Sequence, residues 1–159
     1  MFRRLRSFLK SFKDEITMFL QIFIVGSSIG GLALAIFELN NATKALQAAN
    51  TYQVVKDMND LIRGNNAHPT FRSILLHGGP EAHSSSFLDQ LSIVMNFYLA
   101  VFILYESGGM PKGFVASLQR DFCLDLLSSA RGAKEGWEAL KASGRLSREH
   151  TRMREIWCG

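Results

Sequence analysis

Hydrophobic positions fall into distinct patterns along the chain. Residues 16–37 are 22 residues without a charged side chain. A helix of that length, rising 1.5 Å per residue, is ~33 Å long and matches the hydrocarbon core of a bilayer. A transmembrane helix is therefore expected over 16–37. Gln21, Ser27 and Ser28 are tolerable there because they can bond locally or to a neighbouring helix. Beyond it, Ala42, Ala45, Leu46, Ala49, Tyr52, Val55, Met58 and Ile62 recur at steps of three and four, the spacing of one helical face. No Gly or Pro occurs from Leu32 to Arg63. The span can thus run on as one long helix, ~70 Å from residue 16 to 63. Asn40-Asn41 offers the alternative, a break with a new cap.

Residues 64–86 contain Gly64, Pro69, Gly78, Gly79, Pro80 and a serine run, Ser84-Ser85-Ser86. A loop with one short helix near Thr70–Leu76 is expected there. Residues 87–105 are apolar on every side of a helix, with an uncharged run of 16 residues. That run is short for a span, so a central core helix is expected, with a second span as the alternative. Gly108-Gly109 ends it and Pro111 starts the next helix. Phe114, Val115, Leu118, Phe122, Leu126 and Leu127 mark an amphipathic helix ending near Gly132. Ala133, Trp137 and Leu140 mark another, stopped by Gly144. Ser147 caps a last helix with Met153, Ile156 and Trp157. No period-2 run of β-branched residues stands out. The expected fold is all-α: one N-terminal transmembrane helix, able to continue into a long helix, followed by a small helical bundle. Its parts are a basic amphipathic arm (1–15), the transmembrane helix (16–37) and a bundle domain (38–159) with a loop at 64–86.

Charge refines this picture. The net charge is +4, and Arg3, Arg4, Arg6, Lys10 and Lys13 against Asp14 and Glu15 leave +3 in residues 1–15 and +1 in the rest. A near-neutral domain argues against a nucleic-acid partner. A basic arm beside an apolar span fits an anionic lipid surface. Phe2, Leu5, Phe8, Leu9 and Phe12 recur between the cations, so the arm can lie as a helix in the headgroup region. Between residues 38 and 52 only Lys44 is basic. The positive-inside rule then puts the N-terminus in the cytoplasm and the domain in the periplasm of a bacterial inner membrane. Ala33-Leu34-Ala35 resembles a cleavage site, but the apolar stretch exceeds a signal-peptide core, which favours an uncleaved signal-anchor.

Candidate chemistry is sparse. His68, His77, His83 and Glu81 fall in the 64–86 loop and are weak candidates for a metal site, since they lack a fixed helical ligand spacing. No phosphate loop, dinucleotide fingerprint or nucleophile elbow is present, so no catalytic residue and no cofactor is assigned. Asp89 and Glu106 suit the ends of the apolar helix, and Asn96 suits a buried, hydrogen-bonded amide within it. Cys123 fits a small core residue and Cys158 a free terminal thiol; pairing would require that the two meet. Gly26, Gly30 and Gly31, with Ser27, put small residues along one strip of the span, where a second helix can approach closely. The Ala42, Ala45, Ala49 and Tyr52 stripe also needs a close-packed partner, from this chain or another copy.

The order Asn96-Phe97-Tyr98, Gly108-Gly109 and Trp137, after an alanine-rich helix and an N-terminal span, resembles a bacterial family of small membrane-anchored helical proteins of unknown function. The likeness covers about residues 40–140. A carboxylate usual just after the aromatic pair is absent, and Leu99 stands in its place. The resemblance implies an all-α domain and supplies no activity. The function expected is that of a non-enzymatic single-pass membrane protein. It would act by helix-mediated association with another membrane protein or itself, as an accessory or assembly subunit of a membrane complex. The alternatives are a membrane-anchored sensor or ligand-binding module, and a metal-dependent enzyme built on the loop histidines.

Overall fold

The computed structural model describes the backbone of residues 2–159 and the side chains of residues 31, 32, 34–64 and 67–159. Among the described residues there is helix and no strand. The elements are α1 (Phe2–Asn66), α2 (Pro69–His77), a 3₁₀ turn (Pro80–His83), α3 (Ser85–Glu106), α4 (Lys112–Arg120), a π-helical segment (Asp121–Ser129), α5 (Arg131–Ala142) and α6 (Arg148–Cys158). Two compact units divide the chain, Met1–Lys44 and Ala45–Gly159.

In the first unit α1 carries on through Asn40 and Asn41 without the break that this pair could have made. The Thr43 hydroxyl instead donates back to the Leu39 carbonyl at 2.9 Å, inside the helix. Leu32, Leu34, Ile36, Phe37 and Leu39 are all 60–69% exposed, so no side of this stretch is packed within the chain. The basic arm residues Arg3, Arg4, Arg6, Lys10 and Lys13, with Gly26 and Gly30, lie outside the residues whose side chains are described.

The second unit is a bundle around the inner face of α3. Phe87, Leu91, Val94, Met95, Val101 and Phe102 on that face are buried. Phe122, Trp137, Leu140, Met153 and Trp157 close over it. Each large apolar side chain so buried is worth about 1.5–3 kcal/mol of transfer free energy. The Phe122 ring is central, with centroids 5.0 Å from Tyr98, 6.1 Å from Trp137 and 5.8 Å from Trp157. Salt bridges hold both ends of α3: Arg145 reaches Asp89 at 2.6 Å and Arg152 reaches Glu106 at 2.5 Å. The end-of-helix placement of these carboxylates agrees with their spacing in the sequence, and each has an arginine from the C-terminal part of the chain as partner.

The segment 64–86 is more ordered than the expected loop. Pro69 starts α2, which needs no amide proton at that position. Pro80 starts the 3₁₀ turn, and the Ser84 hydroxyl caps α3 by accepting from the Phe87 amide. The short helix expected near Thr70–Leu76 is α2, and the 3₁₀ turn is the element that loop composition hid.

Gly132 does not end a helix, as its position after Leu127 suggested; it lies inside α5, buried. A Cβ there would fall on the carbonyl oxygen of Ile74, the backbone of α2. One turn later, a Cβ on Gly136 would collide with Leu91 and sit 2.9 Å from Phe87 on α3. Two glycines four residues apart thus let α5 meet the backbone of α2 and take the side chains of α3 directly on its own backbone.

Between α4 and α5 the chain widens into π-helix. Near its end the side-chain hydroxyls of Ser128 and Ser129 donate to the carbonyls five residues back, of Cys123 and Leu124, each at 2.7 Å. Such segments are rare at this length. This one brings Cys123 to Cys158 at the end of α6, and the two sulfurs form a disulfide with Cα atoms 5.4 Å apart. The expectation of a core cysteine and a free terminal thiol is therefore corrected. Sequence spacing alone could not show two thiols 35 residues apart meeting. Gln119 adds a second tie, donating to the Trp157 carbonyl at 2.7 Å.

Candidate association surfaces and a polar groove

Within the second unit, α1 turns a definite face to the bundle. Val54 is 5% exposed, and Thr51, Met58 and Leu61 are half-buried on the same side. At its upper end Gln47 and Asn50 donate side-chain amide protons to the carbonyls of Gly108 and Gly109, at 3.0 and 2.9 Å. Those carbonyls follow the end of α3 and have no helical donor of their own. Two amide hydrogen bonds and the apolar Val54, Met58 and Leu61 thus share this face. The stripe read from spacing is split: Met58 packs on the core and Val55 is half-buried, while most of the rest is turned outward. Ala45, Ala49 and Tyr52 are exposed, and Leu46 and Ile62 with them. Ala42, in the first unit, is exposed as well, and a Cβ on Gly31 would meet nothing within 4 Å.

α3 is the core helix that its sequence suggested, but it is not covered on every side. Among the described residues it is the helix long and apolar enough to cross a membrane by length and composition. Its inner face is core, but its outer face carries exposed Ile93, Asn96, Ala100 and Ile103. Asn96 is not the buried amide its apolar neighbours suggested. α2, the 3₁₀ turn, α4, α5 and α6 all meet its inner side, and the opposite face of an all-apolar sequence is left uncovered.

The histidine segment does not assemble a metal centre. His68 stands before α2, His77 at its end, and Glu81 and His83 in the 3₁₀ turn. Among the described residues no three His, Cys, Asp or Glu side chains are grouped to hold an ion. What the segment forms is an open groove of about 330 Å³ at the start of α2 and α3. Phe71, Ile74 and Phe87 line its apolar part, with the two phenyl rings 5.3 Å apart. His68, Thr70, Glu81 and Gln90 supply polar groups at its edge.

Two polar features lay outside the sequence reading. Glu135 on α5 accepts from the Gly79 amide at 2.9 Å and from Arg131 at 2.8 Å, which ties the Gly78-Gly79 turn to α5. The Gly79 amide above all, and then Arg131, holds its carboxyl below the ordinary range. His150 on α6 is 4% exposed. Its Nδ1 accepts from the Ser147 amide at 3.2 Å and lies 2.9 Å from the Ser147 hydroxyl, while its Nε2 is buried without a partner. A Ser with a polar residue three places on is a capping-box spacing, so this signal was present in the sequence. Burial lowers the imidazole pKa from its ordinary value.

No family model, no curated protein and no solved structure matches this chain.

Proposed function

We propose that this is a non-enzymatic, single-pass membrane protein that works by helix-mediated association. In this reading residues 16–37 are the anchor, the N-terminus is cytoplasmic and the bundle stands in the bacterial periplasm. The observation that carries the association reading is the orientation of α1: its bundle face is Val54, Met58 and Leu61, while Ala45, Ala49 and Tyr52 point outward unpaired. Outward small residues with one aromatic suit close packing against a second helix. The exposure of Leu32, Leu34, Ile36, Phe37 and Leu39 supports a lipid-facing anchor, because apolar side chains left bare in water would be costly. The Cys123–Cys158 disulfide supports an oxidising compartment for the bundle, in agreement with the positive-inside argument. An accessory or assembly subunit of a larger membrane complex fits these features.

The test is purification of the tagged full chain in mild detergent, with mass spectrometry of co-purifying proteins and light scattering for particle mass. A stoichiometric second protein, or a mass that is a multiple of 17.8 kDa, is the expected result. Ala49→Leu should weaken it without unfolding the bundle, since its side chain is exposed. A lone monomer would overturn the reading.

The groove beside Phe71 and Phe87 favours a second reading, a membrane-anchored sensor of a small molecule with an apolar body and a polar end. A compound screen followed by thermal unfolding would detect it. A ligand whose stabilisation disappears in Phe71→Ala, with the bundle still folded, would move the function to that groove.

A further inference from the structure

α3 presents a regular seam to the outside of the bundle. Ile93 and Ile103 are 61% and 51% exposed, with Asn96 and Ala100 exposed between them. The steps are three, four and three, the spacing of the a and d positions of a coiled coil. Half-buried Phe97, Leu99 and Leu104 flank the seam. Asp89 and Ser107 continue it by the same spacing at its two ends, both exposed.

The chemistry of the seam limits what can cover it. Lipid is a poor occupant, because an amide at the centre and an ionised Asp89 at one end are expensive in hydrocarbon. A purely apolar protein face would strip water from Asn96 and leave it unpaired, at a cost of about 1–3 kcal/mol. A second Asn96 answers both donor and acceptor at once, since each amide group has both. A twofold axis through the seam brings the two amides together, and isologous pairing is the commonest form of self-association.

We propose that the outer face of α3 is a self-association seam that takes a second copy of this chain, with Asn96 fixing the register. The inference rests on the association reading above, names its partner and adds a second face, on α3, to the outward stripe of α1. Asp89 to Ser107 spans ~27 Å, and a strip ~10 Å wide gives a contact of roughly 550 Å² in total. Stable free complexes bury at least ~1,200 Å². The seam therefore pairs copies that a common membrane has already concentrated, where tethering raises the effective concentration.

The test uses the full chain, fused at its N-terminus to donor or acceptor fluorescent proteins. It is reconstituted in vesicles of phosphatidylethanolamine and phosphatidylglycerol, and energy transfer is followed as lipid is added. Asn96→Asp and Asn96→Lys change an exposed side chain, and circular dichroism checks that each stays folded. Wild type should show transfer, and each charged variant alone should pair about tenfold more weakly or worse. Mixing the Asp variant with the Lys variant should restore transfer. If both variants pair like wild type while Gly30→Leu abolishes pairing, the α3 seam falls and association through the span survives. If wild type shows no transfer at any density, a second copy is excluded and the seam falls with it, while association with a different protein is decided by co-purification.

Discussion

Two strips of small residues at four-residue spacing have opposite fates in this molecule. On α5, Gly132 and Gly136 are buried, and the chain itself supplies the helices that press on them. On α1, Ala45 and Ala49 are exposed, and nothing in the second unit covers them. The surroundings differ in kind. α5 and α6 are held by backbone-range packing, a disulfide and arginine pairs to both ends of α3. α1 is held in the second unit by Val54, its half-buried neighbours and two amide hydrogen bonds. Small residues in a helix thus mark a close approach, but only the fold decides whether the partner is internal. Where the partner is internal, substitution should cost folding; where it is not, substitution should cost association.

The sharpest way to break the comparison is Gly132→Ala. A methyl group there would lie on the Ile74 carbonyl, so backbone must separate from backbone. The expected loss exceeds about 4 kcal/mol, in the range reserved for single changes that a core cannot absorb. Urea unfolding of the detergent-solubilised chain, followed by circular dichroism, measures it. Gly31→Ala is the control: with open space around its Cβ, it should move bundle stability by less than about 0.5 kcal/mol. A loss as small as the control's would mean that α2 can back away and that the tight packing of α5 is incidental.

The disulfide comes next in size. It links residues 35 apart, which in the chain-entropy account corresponds to about 3–4 kcal/mol. A Cys123→Ala, Cys158→Ala double variant should lose roughly that much in guanidinium unfolding. Tryptophan emission is the natural probe, because Trp137 and Trp157 both pack on Phe122 beside the link. If the C-terminal corner is stapled more firmly than α1, its tryptophans should respond to the double variant while the Gln47 and Asn50 contacts persist. A variant as stable as wild type would show that packing and the Gln119 bond hold α6 without the disulfide.

Much of the fold could be read from local signals. Pro69, Pro111, Ser84 and Ser147 start helices, and Gly108-Gly109 and Gly144 end them, as their chemistry directs. What escaped was non-local. Gly132 reads as a stop until α2 is seen lying against it. The bundle-facing side of α1 is Val54, Met58 and Leu61, a short apolar 4-3 pattern hidden beside the longer alanine stripe, with Gln47 and Asn50 reaching carbonyls about 60 residues away. Asn96 looked buried because every neighbour in sequence is apolar, yet α3 keeps one face outside the core. The loop histidines failed to converge for a related reason: α2 and the 3₁₀ turn set them at separate ends of short helices. The candidate surfaces were therefore half legible. Residue types and spacing were visible, and which face was left open was not.

The smallest expected effect tests the tight side through pH. His150 is buried and neutral, with Nδ1 accepting the Ser147 amide at the start of α6. Its folded pKa lies below the ordinary value of about 6.5 because burial disfavours the charged ring. The unfolded chain then binds the proton more readily than the folded one. This contribution to stability is present in full above about pH 6.5 and is lost as the pH falls through the lowered folded value. Protonation also removes the Nδ1 acceptor, and losing a helix cap costs about 1 kcal/mol. Melting temperature should fall between pH 7.5 and 5 in wild type. His150→Gln keeps an acceptor at the same capping position but does not titrate. It should melt lower at neutral pH, since it leaves space in the core, yet with a shallower dependence on pH. An unchanged slope would mean that His150 does not carry the acid sensitivity in this window, since Glu135, whose pKa is lowered from the ordinary carboxylate value, gives way only at more acid pH. The α6 cap would then be no more sensitive to acid than the weakly held α1, and that part of the contrast between the two regions would close.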